Sequence, residues 1–423
     1  MSNAASQAWQ QHLQWSRRFF LGLGATGVAA LHNGLTHGAG DGPETRPPDP
    51  RLQEAIDKLE RWLTPAGEFR DVSRGSPIPH SLAPEQLAEA GLTRDTWKLE
   101  ILPDPDHPAK LRRPFSLEAN TPLDFAGLLE LGKTEAVRIP KVMTCLNIGC
   151  PLGMGVWEGV PLRSLVWKTE PRENLRRVIY WGFHNKVPEQ RFQSSLPIDR
   201  VLEDPPGLPP VILAYKLNGD WLSPQRGGPV RMIVPEAYGF KSIKWLNTIL
   251  LSNLFHANDT YAQGNNDVDS TLKTFAATLN VPSEPAANTP LAITGYAQVG
   301  TSGLSKVQVW MQPAEADWPA EDRYFQTAPW RDAVILPLAT TLADESRGQL
   351  ASAHGFSPGG EPGRWPLPLT KVQWAILWDG LPPGKYTLRS RTIDPQGHAQ
   401  PQPRPFQKSG HAAIEEVTVT IRP

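Results

Sequence analysis

The stretch Cys145-Leu-Asn-Ile-Gly-Cys150-Pro-Leu-Gly-Met-Gly-Val-Trp157-Glu-Gly-Val-Pro-Leu162 contains both cysteines of the 423-residue chain. Two cysteines are too few for a disulfide framework. The apolar tract 139–143 precedes Cys145, so the thiol is predicted at the end of a strand and before a Gly-rich turn. A soft-metal ligand or a nucleophile can be presented at such a position. Two other interpretations remain open at this point, since Cys145 could be a small buried residue or could form a local bridge with Cys150.

Composition and charge limit the classes of function. The formal net charge is -1 and the pI is about 6.8. Lys and Arg are scattered along the chain, so no surface for a polyanion is expected and nucleic-acid binding is excluded. The length predicts two domains, each large enough to bury its own core. Forty-four prolines and fifteen tryptophans indicate a loop-rich globular protein with large packing residues.

The first forty residues resemble a targeting segment rather than part of the fold. Ser16-Arg17-Arg18-Phe19-Phe20-Leu21 matches the twin-arginine export pattern, and a weakly apolar run follows over 21–31. That run is too short to span a bilayer. Residues 1–40 are therefore predicted to be a signal, the mature protein to be periplasmic or otherwise exported, and its chain to have no membrane span. The alternative is a helix start that happens to contain two arginines.

Hydrophobic patterning divides the rest of the chain. Residues 41–68 are predicted to be a linker with a short helix, and 69–281 alternate short strands and short helices. Residues 282–423 show two-residue alternation, as in Val307-Gln-Val309-Trp-Met311, which indicates an immunoglobulin-like β-sandwich. The two-residue alternation stops near 314–365, where an insertion with short helices is expected. Separate cores are expected for the two halves.

Several short segments carry a family resemblance through their order and approximate spacing. They are Trp97-Lys-Leu-Glu-Ile, Thr144-Cys145, Trp157-Glu-Gly-Val-Pro-Leu162, Ser195-Leu-Pro197, Ala214-Tyr-Lys-Leu-Asn-Gly219, Gly228-Pro-Val-Arg231-Met-Ile-Val-Pro235 and Gly239-Phe-Lys-Ser242-Ile-Lys244-Trp-Leu246. Together they resemble the core of the molybdopterin-dependent sulfite oxidase family. The resemblance implies an α+β fold, with a sulfite-oxidase-type molybdopterin-binding catalytic domain at 69–281. The tail at 282–423 is similar to that family's dimerisation sandwich, which leaves a homodimer open.

The resemblance also implies a cofactor and its contacts. In that family, the cysteine after the strand is the protein ligand of molybdenum, and Cys145 occupies the matching position. A metal centre held by the two dithiolene sulfurs of molybdopterin accepts a third soft sulfur donor. Arg231 and Lys244 are implied as contacts of the pterin phosphate, with the backbone of Ser242 and Ile243 beside it. Further cofactor contacts are expected from three residues that match more loosely, namely Arg74, His80 and His184.

The chain departs from sulfite-oxidising relatives at positions that bear on the substrate. Those relatives have an arginine where this chain has Cys150, a tyrosine where it has Phe192 and a histidine where it has Arg226. A sulfite site needs fixed cationic and phenolic donors, so these changes weaken the case for sulfite. Replacement charge could come from Arg74, Arg191 or Arg226. The cofactor prediction is unaffected, but the substrate does not follow from it.

The expected function is two-electron oxygen-atom transfer on a small substrate, either an oxyanion such as sulfite or an S- or N-oxide. No Cys-x-x-Cys-His, Gly-x-Gly-x-x-Gly or four-cysteine motif is found in the sequence. Electrons are therefore expected to pass to or from a separate carrier, such as a periplasmic cytochrome. The alternative is an exported binding or scaffold protein that has kept the fold without catalysis. A third interpretation, a periplasmic sugar-binding β-sandwich, accounts only for the tail at 282–423.

Overall fold

The computed structural model describes residues 49–343, 346–400 and 404–423, and the segment from Pro50 to Pro423 is one compact unit. The predicted twin-arginine signal lies outside the described residues. The short helix expected between 41 and 68 is α1, Pro50–Asp57. None of the helices within the described residues is both long enough and apolar enough to span a membrane.

Within the described residues, the first half contains ten strands and five short helices after α1. The strands are β1 Lys98–Pro103, β2 Leu123–Asp124, β3 Val137–Thr144, β4 Pro151–Pro161, β5 Arg177–Gly182, β6 Gln193–Pro197, β7 Ile212–Leu217, β8 Asp220–Trp221, β9 Arg231–Ile233 and β10 Leu246–Ser252. The helices are α2 Pro84–Glu89, α3 Phe125–Glu135, α4 Leu162–Lys168, α5 Ile198–Leu202 and α6 Thr260–Gln263. Short 3-10 turns occupy Ala66–Glu68, Pro79–Ser81, Pro188–Gln190, Pro224–Arg226 and Gly239–Lys241.

These strands form two five-stranded sheets. One has the order β2-β1-β10-β5-β6, in which only β1 and β10 run parallel, with Glu100 opposite Thr248. The other has the order β3-β4-β7-β8, and β9 also pairs with β7. Local chemistry fits these elements, because Asn218 and Gly219 both have positive φ in the tight turn between β7 and β8. The Asp124 side chain caps α3 by accepting a hydrogen bond from Gly127 N at 2.8 Å.

The second half of the chain forms one seven-stranded antiparallel sheet with the order β11-β12-β15-β14-β13-β16-β17. Its strands are β11 Phe275–Asn280, β12 Leu291–Gln298, β13 Lys306–Pro313, β14 Arg331–Ile335, β15 Lys371–Trp378, β16 Gly384–Ile393 and β17 Glu415–Ile421. The first strand also contacts β16 and β17, so the sheet nearly closes on itself. This confirms the predicted architecture, an α+β half followed by an immunoglobulin-like β-domain. We call the second half the β-domain.

Two details of this half differ from the sequence-based expectation. The predicted insertion at 314–365 has short helices, α7 Leu338–Thr341 and α8 Arg347–Leu350, but it also supplies β14. That strand pairs with both β13 and β15 and so joins the two parts of the sheet. In addition, β11 lies N-terminal to the boundary predicted at 281/282.

Each half has a hydrophobic core of its own, but a further buried cluster spans both halves and was not expected. One buried cluster combines first-half residues with residues near the predicted insertion, including Val142, Met154, Tyr238, Leu338 and Leu369. Backbone bonding crosses between the halves as well, because Val142 N donates to Leu369 O at 2.8 Å. Alternation in the sequence showed which residues are apolar but not that one cluster would combine both halves.

Candidate functional site

A cleft of about 1020 Å³, part of it open to solvent, lies over the ends of β3 and β9. It is lined by Val72, Ser73, Arg74, Gly75, Cys145, Asn147, Ile148, Leu152, Gly182, Phe183, His184, Gln190, Phe192, Arg231, Gly239, Phe240, Ser242, Ile243, Lys244, Trp245 and Tyr261. It includes seven of the eight residues that were named from the sequence.

Cys145 follows directly after β3, as predicted, and its thiol is free and half-buried. The pairing of β3 with β4 shifts register between Met143 and Thr144, a bulge that redirects the chain just before the cysteine. Cys145 packs against an apolar cluster that includes Phe69, Met143 and Trp157. The thiol is therefore presented to the cleft on a firmly packed strand end.

The segment from Gly239 to Leu246 forms another wall of the cleft. Trp245 has φ of 54°, an uncommon value for an aromatic residue, and its indole Nε1 donates to Pro224 O at 2.7 Å. Gly227 also has positive φ, and a Cβ there would lie 2.7 Å from the Lys244 Cγ. The backbone is thus held in an unfavourable conformation beside Lys244, as often occurs where a ligand is bound.

Three basic side chains, Arg226, Arg231 and Lys244, form what we call the cation cluster. Arg231 is 6% exposed, and its guanidinium Nε donates to Ser242 O at 3.0 Å and its Nη1 to Arg226 O at 3.1 Å. Its guanidinium also lies 5.2 Å from the centre of the Trp157 ring. Burial, with repulsion from Arg226, lowers the pKa of Arg231 to about 9. Among the described residues, no carboxylate pairs with this guanidinium.

Arg226 has spare donors. It is 3% exposed and donates from Nη1 to Phe69 O at 2.9 Å. Its buried Nε and Nη2 atoms have no hydrogen-bond partner within the described part of the chain. Buried unpaired donors are costly, and they indicate a site that is completed by an acceptor.

Lys244 has the cluster's one acidic partner, Asp71. Its Nζ donates to Asp71 Oδ1 at 2.8 Å, to Ser73 Oγ at 2.6 Å and to Gln225 O at 2.8 Å. Burial, together with Arg231, lowers the pKa of Lys244 to about 7 even though Asp71 raises it. Burial raises the pKa of Asp71, but hydrogen bonds from Lys244 and Ser73 outweigh it and lower that pKa to about 2. One carboxylate thus faces three bases, which leaves an excess of positive charge for an anion.

Another group of side chains in the cleft, Arg74, Phe192, Phe240 and Tyr261, is called here the aromatic cluster. The Arg74 guanidinium lies 4.5 Å from the centre of the Phe192 ring, and its Nη2 donates to the Tyr261 hydroxyl at 3.0 Å. That hydroxyl can donate to Asn147 Oδ1 at 3.4 Å. The Tyr261 ring packs edge-on against Phe192 at 5.0 Å and lies 5.3 Å from the Phe240 ring.

The residues predicted from the sequence fall into two sets. Those that line the cleft are Cys145, Arg231, Ser242, Ile243, Lys244, Arg74 and His184. His80 is not among the described residues that line the cleft. Its Nε2 atom lies 3.3 Å from Asp71 Oδ2. Of the three arginines considered as replacement charge, Arg74 is in the cleft and Arg226 joins the cation cluster, whereas Arg191 stacks on Trp181 at 4.8 Å.

Tyr261 and Asp71 were missed by the reasoning from sequence. Tyr261 lies beyond the last segment that carries the family resemblance, and it reaches the cleft on α6. Asp71 belongs to the loosely matching loop from Phe69 to Gly75, where Arg74 was singled out by its charge. The sequence did contain one signal for Tyr261. Because Phe192 has no hydroxyl, any phenol in the cleft had to come from another segment.

Comparisons with known proteins show what the chain is similar to. Residues 116–258 match the family model for the oxidoreductase molybdopterin binding domain. A nitrate reductase [NADPH] of Beauveria bassiana is 30% identical over 113 residues, which are 26% of this chain and 12% of that protein. Nitrate reductase [NADH] 1 of Phaseolus vulgaris is 37% identical over 117 residues, 25% of this chain and 13% of the relative. The match therefore spans only a small part of these relatives.

A solved structure extends the likeness to nearly the whole chain. The sulfane dehydrogenase SoxCD from Paracoccus pantotrophus superposes with a TM-score of 0.54, over 91% of this chain and 94% of that chain, at 16% sequence identity. At that identity the likeness shows the fold alone. Fold and matched domain together define a molybdopterin-binding domain followed by an immunoglobulin-like β-domain. The chain thus contains an oxidoreductase molybdopterin binding domain at 116–258 and resembles molybdopterin-binding oxidoreductases of the sulfite oxidase type.

Proposed function

We propose that this chain is a molybdenum–molybdopterin oxidoreductase that transfers an oxygen atom to or from a small substrate, with Cys145 as the protein ligand of the metal. The observation that carries the proposal is the shared cleft, in which the Cys145 thiol meets Arg231 and Lys244 of the cation cluster. A soft donor for the metal and a cationic site for the cofactor's phosphate are the two features that molybdopterin needs from a protein.

The residues present fit this cofactor. Arg231 and Lys244 line the cleft and suit a phosphate group, and Arg226, which does not line it, adds positive charge behind them. Arg231 offers a planar fork and Lys244 a point charge, and the two recognise phosphate in different ways. When bound, the cofactor supplies the two-electron redox chemistry, and the protein supplies binding, orientation and charge.

The aromatic cluster is proposed as the substrate side of the site. Arg74 can bind an oxyanion, because it has no carboxylate partner among the described residues and rests on the Phe192 ring. Tyr261 can donate a hydrogen bond to a substrate oxygen in place of Asn147. The rings of Phe192, Phe240 and Tyr261 exclude water from this part of the cleft, which strengthens both contacts. The phenol that is missing at position 192 is thus supplied from position 261.

The relatives widen the set of substrates to test. Their names, nitrate reductase and sulfane dehydrogenase, add nitrate and sulfane sulfur to sulfite and to S- and N-oxides. All of these carry or acquire oxygen atoms that a guanidinium and a phenol can bind. Electrons are proposed to be exchanged with a separate carrier, such as a periplasmic cytochrome.

Metal content and turnover test the proposal together. Protein purified from a host that makes molybdopterin is expected to contain one molybdenum per chain. It should oxidise sulfite or reduce nitrate, dimethyl sulfoxide or an amine N-oxide with an artificial carrier. Protein without molybdenum would favour a non-catalytic scaffold that has kept the fold. Protein with molybdenum and no turnover on this panel would leave the cofactor assignment standing and remove the proposed substrate classes.

Export is proposed from the sequence pattern around Arg17 and Arg18. Replacing both with lysine should leave cofactor-loaded protein in the cytoplasm of a bacterial host, as judged by fractionation. Periplasmic accumulation of that variant would remove the twin-arginine assignment. The matched control is Arg51→Lys, just inside the described fold, which should not change the location.

A further inference from the structure

The end of strand β3 sets the position of the Cys145 thiol. Thr144, the last residue of that strand, is 0% exposed. Its pairing with Pro151 of β4 follows directly after a register shift, so the regular spacing of the β-ladder is interrupted just before Thr144. The orientation of Cys145 therefore depends on whatever else holds Thr144.

Thr144 is held by a side chain of the β-domain. Its Oγ1 donates to Gln298 Oε1 at 2.6 Å, and Gln298, at the end of β12, is also 0% exposed. The Gln298 Nε2 donates to Lys273 O at 2.7 Å. That second bond fixes the amide, because its nitrogen must face the Lys273 carbonyl and its oxygen must then face Thr144.

A backbone bond adds a second tie from the C-terminal half. Val142 N, two residues before Thr144, donates to Leu369 O at 2.8 Å. Leu369 lies just before β15, and its own N–H donates to Val299 O at 2.7 Å, next to Gln298. The strand that ends at the thiol is thus bonded at two points to one connected patch of the β-domain.

We propose that the β-domain positions the metal-binding thiol, and that Gln298 acts on Cys145 through the hydroxyl of Thr144. The inference rests on the proposed role of Cys145 as ligand. It gives the β-domain a part in the site itself, because a dry hydroxyl–amide bond holds a single geometry and its loss would leave a buried amide oxygen unpaired. Gln298 and Thr144 are positioning residues, since neither lines the cleft.

The test uses the full chain without cofactor in a Cys150→Ser background, so that Cys145 is the only thiol. The measured quantity is the rate constant for reaction of Cys145 with an aromatic disulfide reagent. Thr144→Val keeps the side-chain shape and removes the donor, and it should change that rate about tenfold, whereas Thr144→Ser should stay within about twofold of the parent. Gln298→Met should reproduce the effect of Thr144→Val, and the double variant should add nothing further.

A matched control separates positioning from general destabilisation. Thr169 is also 0% exposed, and its Oγ1 donates to Val166 O at 2.7 Å, away from the cleft. Thr169→Val should lower the melting temperature without changing the thiol rate. A parent-like rate in both Thr144→Val and Gln298→Met, or an equal change in Thr169→Val, would overturn the proposal. If Thr144→Val does not fold, Gln298→Met carries the same test.

Molybdenum content links this experiment to the proposed function without confusing the two. In loaded protein, Thr144→Val should retain less metal than Thr144→Ser. A parent chain that binds no molybdenum would refute the ligand role of Cys145, while the thiol rates would still report whether Gln298 positions that residue. A parent chain that is fully loaded, together with unchanged thiol rates, would refute only the positioning role.

Discussion

Arg231 and Lys244 of the cation cluster line the same cleft as the aromatic cluster, but the two clusters are built in different ways. Arg226, Arg231 and Lys244 lie within a short stretch of sequence and are held largely by backbone carbonyls, as in the bond from Arg231 to Ser242 O. The aromatic cluster takes Arg74, Phe192 and Tyr261 from three distant segments, and it is held by ring stacking and one hydroxyl contact. The first is the proposed anion site, and the second depends on side chains that can be exchanged one at a time.

This difference suggests a division of labour. A cofactor that is common to a whole family needs the same phosphate contacts in every member, and a compact motif held by the backbone provides them. Substrates differ between family members, and side chains from separate segments can change without disturbing the anchor. In this chain, the phenol can be absent at Phe192 and present at Tyr261 while the cation cluster keeps its place.

Cys145 is the proposed metal ligand, and loss of its thiol is expected to have the largest effect. Cys145→Ser replaces a soft donor with a harder and far less acidic one, so turnover should fall on the order of 1000-fold or more, with loss of molybdenum. Metal analysis and steady-state assays measure both.

The control is Cys150→Ser. Cys150 accepts a hydrogen bond from Arg70 Nη1 at 2.6 Å and is not among the described residues that line the cleft. That variant should remain active. If it were inactive instead, the ligand would have been assigned to the wrong thiol.

Loss of an anchor should come next in size. Lys244→Ala removes a charge-assisted bond worth about 1.5–3 kcal/mol, so molybdopterin affinity should fall roughly 10- to 100-fold. Arg231→Lys should be milder but measurable, since a point charge does not reproduce a fork. Pterin fluorescence after release from purified protein gives the occupancy.

Lys306→Ala is the matched control for the anchor, because Lys306 pairs with Asp332 at 2.7 Å on the exposed face of the β-domain. Occupancy should be unchanged there. Full occupancy in Lys244→Ala would make the Gly239-to-Leu246 segment a packing element only. Since one buried cluster spans both halves, Lys244→Ala could destabilise the whole fold. Its melting temperature must therefore be measured together with its molybdopterin occupancy.

The cation cluster should also show a pH dependence that the aromatic cluster lacks. Burial holds the pKa of Lys244 at about 7 in the free chain, and a bound anion would raise it. Binding above that pH must therefore take up a proton, and the affinity for inorganic sulfate should fall as pH rises above 7, by at most about tenfold per pH unit. Below pH 7 the lysine is already protonated, so this dependence should flatten.

Calorimetry of cofactor-free protein with sulfate measures this trend, because sulfate keeps its charge over the whole range. Lys244→Arg should bind sulfate with little pH dependence between 7 and 8. A flat profile in the parent chain would show that Lys244 is not the group that titrates on binding.

The smallest expected effect concerns the aromatic cluster. Tyr261→Phe removes one hydroxyl and keeps the ring, so turnover should fall about fivefold to tenfold while molybdenum content stays unchanged. Adding Phe192→Tyr should restore part of the activity, because it returns a phenol to the same wall of the cleft.

Tyr386→Phe is its control, as that hydroxyl donates to Pro382 O at 3.1 Å in the β-domain. Unchanged turnover in Tyr261→Phe would leave Arg74 as the substrate contact and remove the phenol from the proposal.

Sequence reasoning predicted the local features of this protein well and the distant ones poorly. The strand before Cys145 and the alternating strands of the tail follow from short-range periodicity, and the structure confirms them. The cation cluster was partly predicted for the same reason, since Arg231 and Lys244 lie in one motif.

What sequence could not predict are contacts between segments far apart in the chain. Tyr261 against Arg74, and Gln298 against Thr144, join residues with no pattern between them. The strand β14 was hidden in the predicted insertion, because a five-residue strand leaves too little alternation to detect. The buried cluster that spans both halves was not predicted, because the spacing of apolar residues identifies a buried face but not what packs against it.

The parallel pairing between β1 and β10 has a consequence for the order of assembly during synthesis. Glu100 and Thr248 cannot pair until the whole intervening chain has left the ribosome, and closing so long a loop is slow. The bonds from Val142 to Leu369 and from Thr144 to Gln298 postpone completion further still. Nascent chains that lack the β-domain should therefore be unable to retain molybdopterin, so that loading follows release from the ribosome. Stalled-ribosome complexes truncated before Gln298 and after Pro423 would show whether cofactor capture waits for the last strands.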